Sequence, residues 1–287
     1  MPPQSSQLPR IKRTNALGLS WSTLLVYSVP RWGKTRLTRT AKKPLVVACE
    51  MGDRRGLGTL SDIDIPFVPC DTMEELLATA RALSQDREIA TFEGEQFETI
   101  ILDSGSVAGE LGLDSAKATF GYGDYLWDAT KGSGKDPRKA YPYMNEKMRQ
   151  LMKIFFSCQA HFIVIARESV AEEVDTEGKS IRYKVPEFPG QKLPYELPGW
   201  PDGTLRGDVV NGQRLLRTRT HMRAVAGIRA PDNVPVPEFI VPNTADICEW
   251  MRTWDPAILK RLTPAPPKPI NAPVVAKKKE VPVASAS

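Results

Sequence analysis

Ser22-Thr-Leu-Leu-Val-Tyr-Ser28-Val-Pro-Arg-Trp-Gly33-Lys34-Thr35 decides the fold. The apolar run from Ser22 to Tyr27 reads as a buried strand. Gly33 to Ala41 reads as a helix start, stopped by Pro44. Between them Ser28, Val29, Pro30, Arg31, Trp32, Gly33, Lys34 and Thr35 follow the spacing GxxxxGK[ST] of a phosphate-binding loop. Such a loop aims backbone N–H groups and a helix N-terminus at an anion. In that role Lys34 reaches the β- and γ-phosphates of ATP and the Thr35 hydroxyl ligates Mg²⁺. The first glycine of the pattern is replaced by Ser28. Serine resists positive φ, so the loop is expected to open differently there. Trp32 is bulky and is expected to lie over the loop.

Outward from the loop, Thr99-Ile-Ile-Leu-Asp103-Ser104 is an apolar strand ending in a carboxylate, the Walker B pattern. Asp103 would hold Mg²⁺ through water. Many helicase-like ATPases place a glutamate directly after this aspartate, and the residue here is Ser104. The alternative general base is Glu50, ending the strand Leu45-Val-Val-Ala-Cys-Glu50. A carboxylate at the C-terminal edge of a neighbouring strand can orient water toward the γ-phosphate. The plainer reading of Glu50 is an ordinary strand-end carboxylate. The predicted catalytic set is Glu50, Lys34 and Asp103, and the metal ligands are Thr35 and Asp103.

The rest of the chain fits an α/β fold. Asp71-Thr72 followed by Glu75 is a capping box, with Leu76, Leu77, Ala80 and Leu83 at helical spacing behind it. Met148, Leu151, Met152 and Phe155 share one helical face within 144–158, and His161 to Ala166 is a fourth apolar strand. Strands alternating with helices predict a mainly parallel sheet flanked by helices. After Glu168 the pattern changes to an antiparallel extension over 170–250, with a hairpin across Val170–Val185 and strands at Arg214–Thr220 and Arg223–Ile228. The expected organisation is a flexible segment over 1–20, one domain over 21–259 and a disordered Pro/Lys-rich tail over 260–287.

Composition excludes several classes. The 287 residues are 41% hydrophobic and 25% charged, so the chain is neither wholly disordered nor a membrane protein. No apolar run reaches the roughly 18 residues that span a bilayer, and the N-terminus lacks the apolar stretch of a signal peptide. The expected compartment is the cytoplasm. Cys49, Cys70, Cys158 and Cys248 show no CxxC spacing, and with only two histidines they read as buried thiols rather than zinc ligands. Of the net charge, six cations against Glu280 place +5 after residue 259, so the body sums to about zero. Any nucleic-acid surface on the body is then a local patch.

The layout resembles RecA-type ATPases. More closely, it is similar to the phage AAA-ATPase-like nucleotide-binding proteins, a RecA-related group associated with single-strand annealing and recombination. The resemblance rests on Leu24–Thr35, Pro44–Gly52, Thr99–Ser104, Tyr122-Gly-Asp-Tyr125, His161–Glu168 and Pro189-Gly-Gln-Lys-Leu-Pro194. It implies a RecA-like P-loop NTPase that uses ATP and Mg²⁺ to act on single-stranded DNA. It also implies a homo-oligomer, a single-strand-binding protein nearby, and the host cytoplasm as location.

The DNA contacts suggested by the residues are Lys131, Lys135, Arg138 and Lys139, in a basic loop beside Tyr122, Tyr125, Trp127, Tyr141 and Tyr143. Cations interleaved with aromatics suit backbone neutralisation and base stacking, while a solvated loop is the bland alternative. Arg167 and Glu168 either sense the nucleotide or pair with each other. Arg217, Arg219 and Arg223 include a possible arginine finger or are exposed strand residues. Two rival functions remain at this point: a P-loop kinase, and a nucleotide-gated DNA-binding protein with negligible turnover.

Overall fold

The computed structural model describes residues 20–49, 55–86, 88–121, 139–174, 178–221 and 224–265. Residues 1–19 of the expected lead-in, Glu50, Tyr122, Tyr125, Trp127, Lys131, Lys135, Arg138, Arg223 and residues 266–287 of the expected tail lie outside the described residues. Lys260, Arg261 and Leu262, assigned to the tail from the sequence, instead end a helix, because Leu262 is fully buried in the core.

β1 (Thr23–Ser28) leads into the loop and a 3₁₀ helix at Thr35–Thr40. β2 (Pro44–Ala48) is followed by the single turn α1 (Arg55–Gly58), β3 (Phe67–Pro69) and α2 (Met73–Leu83). Then come a small hairpin of β4 (Ala90–Phe92) and β5 (Glu95–Phe97), the strand β6 (Thr99–Asp103), and the helices α3 (Gly105–Phe120) and α4 (Ala140–Ser157). β7 (His161–Val174) and β8 (Ser180–Pro186) form the long hairpin, and α5 (Leu193–Glu196) follows. β9 (Gly203–Val210), β10 (Gln213–Arg217), β11 (Gly227–Ile228) and β12 (Phe239–Ile240) precede α6 (Thr244–Thr253) and α7 (Pro256–Leu262).

The sheet runs β12-β10-β9-β1-β7-β6-β2-β3. From β9 through β1, β7, β6 and β2 to β3 the strands are parallel to one another. β7 therefore lies between the strand that feeds the phosphate loop and the strand that ends in Asp103. The antiparallel pairings after Glu168 are β7–β8, β9–β10, β10–β12 and β9–β11. β9 was not foreseen. Gly203-Thr-Leu-Arg-Gly-Asp-Val-Val210 holds two glycines and two charges, which hid a central parallel strand.

Both faces of the sheet are covered, as a parallel sheet requires. Leu25 and Tyr27 of β1 join one core with Leu76, Leu111, Met148 and Phe155 from α2, α3 and α4. Leu24 and Val26 point the other way, into a core with Ile247, Trp250 and Ile258 from α6 and α7. Period-2 alternation thus feeds two layers from one strand. α2 starts where the sequence predicts: Thr72 Oγ1 accepts from the Glu75 N–H, and the Glu75 carboxylate accepts from the Thr72 N–H. The segment after Lys34 departs from expectation. It forms a 3₁₀ helix, with no side-chain cap at Lys34, rather than an α-helix. Thr38 and Thr40 within it, with β-branched side chains, disfavour a regular α-turn.

Candidate functional site

The parallel strands deliver their C-terminal ends to one edge. In the register, Ser28 lies beside Arg167 and Ala48 lies beside Asp103. Ligands of open α/β sheets bind at this edge. A cleft of about 880 Å³ opens there, bordered by Gly33, Lys34, Thr35, Asp103, Glu110 and Arg167.

The loop bends at Arg31 (φ 65°) and Gly33 (φ 103°), not at Ser28. Ser28 ends β1 as a fully buried strand residue, so the positive φ expected at the first glycine position is absent. Left-handed backbone suits Gly33, which has no Cβ. A Cβ there would also stand 3.2 Å from the Arg214 guanidinium. Arg214 is a residue of this cleft that the sequence reading missed. Its position on β10 gave no signal, because only the sheet brings β10 toward the loop.

Trp32 does not lie over the loop. Its ring is buried, 4% exposed, and its Nε1 donates to the Asp208 carbonyl of β9 at 2.8 Å. Gly207 makes this possible: a Cβ at 207 would be 2.6 Å from the indole and 2.8 Å from Ser28 Cβ. The loop is thereby fastened to β9. Val29 and Pro30 are exposed at its tip.

Lys34 folds back on its own loop. Its Nζ donates to the Ser28 carbonyl (2.9 Å), the Ser28 hydroxyl (3.3 Å) and the Val29 carbonyl (3.2 Å). Burial pulls the ammonium below the usual lysine range, while the charge of Asp103 opposes that shift. Thr35 Oγ1 donates to Asp103 Oδ2 at 2.8 Å. The loop hydroxyl and the strand-end carboxylate expected at one metal are thus in contact. Asp103 is 5% exposed, and the Cys49 N–H donates to its carbonyl at 2.9 Å. Ser104 is an N-cap: its side chain accepts from the Val107 N–H and starts α3.

Arg167 and Glu168 do not pair with each other. Arg167 Nε donates to Glu187 at 2.7 Å, and its other arm bonds Glu110. The two carboxylates hold a guanidinium at the cleft wall and raise its pKa further. Glu168 turns to the buried Arg206 at 2.7 Å. Asp208 then bridges Arg206 to Arg217, and Arg217 continues to Glu238. Arg217 is therefore held in an ion ladder over the Phe239 ring, 4.4 Å away, rather than projecting as a finger. Arg219 is exposed. Lys139 is exposed just ahead of α4. Tyr143 packs edge-on against Phe120.

Comparison with known proteins agrees with this geometry. A family model described as an AAA domain (AAA_24) matches residues 22–230. No curated protein matches the chain. No helix among the described residues is long and apolar enough to cross a membrane. The match begins at the loop strand β1 and runs through β11, taking in every element that builds the cleft, and on it the chain belongs to the AAA domain family of P-loop NTPases.

Proposed function

We propose that this chain binds and hydrolyses ATP with Mg²⁺ and acts on single-stranded DNA as a RecA-like phage protein in recombination, annealing or replication. The observation that carries the nucleotide half is the 2.8 Å contact of Thr35 with Asp103 beneath Lys34. Those two oxygens fit Mg²⁺, which favours hard oxygen ligands and keeps several waters. An ion held by Thr35 and Asp103 would supply positive charge to offset that of the nucleotide phosphates. The protein's own groups do the rest. Gly33 and the residues after it turn backbone N–H groups to the phosphates. Lys34 exchanges its loop oxygens for phosphate oxygens, and Arg167 faces the site from the cleft wall. Glu50, the next residue after Cys49, is the carboxylate assigned to orient water.

The strand half rests on the resemblance to single-strand annealing ATPases and on the basic, aromatic run around Lys131–Tyr143. A homo-oligomer and a single-strand-binding protein are the partners proposed with it, and the host cytoplasm is the proposed location. The held-back Lys34 favours one second reading, a nucleotide-gated switch with little turnover. Phosphate release measured with and without single-stranded DNA separates them. Stimulated release supports the recombination ATPase. ATP binding without release supports the switch, and absence of ATP binding removes both.

A further inference from the structure

A second cleft, of about 590 Å³, lies where the first turns of α4 face Gly190–Lys192. Three features of its walls are independent. Tyr141 is 37% exposed, and its ring stands against the backbone at Gly190. A Cβ at 190 would lie 3.0 Å from Tyr141 Cδ1, and the φ of +80° there suits glycine alone. One turn along α4, Asn145 is only 8% exposed, yet its buried Oδ1 has no hydrogen-bond partner among the described residues. A buried amide oxygen without a partner is costly, and Asn145 is among the residues that border this cleft. Lys192 and Gln191 border the opposite side, exposed.

Arg149 is spent on Glu196 at 2.6 Å, whereas Lys192 and Lys139 have no ion pair among the described residues. α4 begins at Lys139 without a side-chain cap, leaving the N–H groups of Ala140 and Tyr141, ahead of Pro142, which has none, for an anion. A flat aromatic face, an unmet amide acceptor and nearby cations match one nucleotide of a single strand: base, base edge and phosphate. A purely apolar ligand would leave Asn145 unmet.

From this arrangement we propose that the Tyr141–Asn145–Lys192 cleft seats a base and adjoining phosphate of single-stranded DNA. This rests on the strand reading given under Proposed function and supplies its location. The segment that forms the cleft also touches the nucleotide site: Glu187, just before Phe188-Pro189-Gly190, grips Arg167 of the nucleotide cleft by side chain and by its N–H, both at 2.7 Å. Strand and nucleotide occupancy therefore bias the same stretch of chain.

The test uses the full chain and a fluorescein-labelled oligo-dT, followed by anisotropy, with ATP affinity measured on the same preparations. Tyr141→Ala should weaken strand binding about ten-fold or more, because stacking on one base is lost. Tyr141→Phe should bind as wild type, Lys192→Glu should weaken binding, and ATP affinity should not change in any of them. An iodouracil-substituted oligonucleotide should photo-crosslink to Tyr141 in the wild-type chain. Wild-type strand affinity in both Tyr141→Ala and Lys192→Glu, with crosslinks mapped elsewhere, overturns the placement and leaves the strand reading standing. Failure of the wild-type chain to bind oligo-dT at all overturns both.

Discussion

The Thr35 hydroxyl donates a 2.8 Å hydrogen bond to Oδ2 of Asp103, joining residues 68 apart in sequence. Neither residue is adjacent to the other's strand, because β7 runs between β1 and β6. The contact forms above the sheet edge, where the loop after β1 crosses over the end of β7. Asp103→Asn keeps the size and loses the charge. Mg²⁺-dependent turnover should fall about 10–100-fold, as for groups that hold a metal through water. Nucleotide affinity without Mg²⁺ should stay unchanged. Steady-state phosphate release and nucleotide titrations with and without the metal check this.

Lys34→Ala should abolish ATP binding while the chain stays folded, since Lys34 contacts loop oxygens and solvent-facing space rather than either core. Because burial lowers the Lys34 pKa, the wild-type ammonium is lost earlier on the alkaline side than an exposed lysine's. ATP affinity should therefore decline as pH rises through that lowered value. A flat affinity across the alkaline range, or a folded Lys34→Ala that still binds ATP, refutes the assignment.

Glu50→Gln and Glu168→Gln should fail differently. The first should bind ATP and stop turnover, because only a carboxylate can serve as the base. The second should cost about 3 kcal/mol of stability, because it weakens a pair in which Arg206 and Glu168 side chains are 9% and 8% exposed. Turnover per folded molecule should persist in Glu168→Gln. Chemical denaturation alongside ATPase rates separates the two.

Gly207→Ala should lower stability by about 1–3 kcal/mol through overpacking. The added methyl meets the Trp32 ring at 2.6 Å and Ser28 Cβ at 2.8 Å, both parts of the loop's anchorage. ATP affinity should fall with it, although residue 207 lies outside the nucleotide cleft. Thermal unfolding and a nucleotide titration give the two readouts, and a variant as stable as wild type disproves the tight contact.

His161 sets an acid limit. Burial pushes its imidazole down to about 4, and Nδ1 must stay unprotonated to accept the Ser22 N–H at 3.0 Å. The unfolded histidine takes up its proton near 6.5, so the unfolded state binds more protons between these values. The contribution of His161 to stability should be complete above about pH 6.5 and be lost, by up to about 3 kcal/mol, as pH drops toward 4. His161→Gln should flatten that slope in denaturation curves taken across the range.

Much of this site could be read from sequence, and the reason is local. Gly33-Lys34-Thr35 after an apolar strand, Asp103 ending another, and Thr72 with Glu75 ahead of a helix are short-range patterns whose chemistry depends on neighbours in the chain. Other features are long-range. Arg214 reaches the loop only because β10 is placed on the far side of β9. Trp32 turns inward only because Gly207 leaves room on β9. Glu168 is lost to Arg206 and Arg217 to Asp208 because the sheet sets side by side strands that sequence alone does not pair. Residue type and spacing determined which groups carry charge, hydroxyl or phosphate-binding backbone. The tertiary structure decided which of them meet, because hydrogen bonds and ion pairs act over a few ångströms and only the strand order brings distant residues that close.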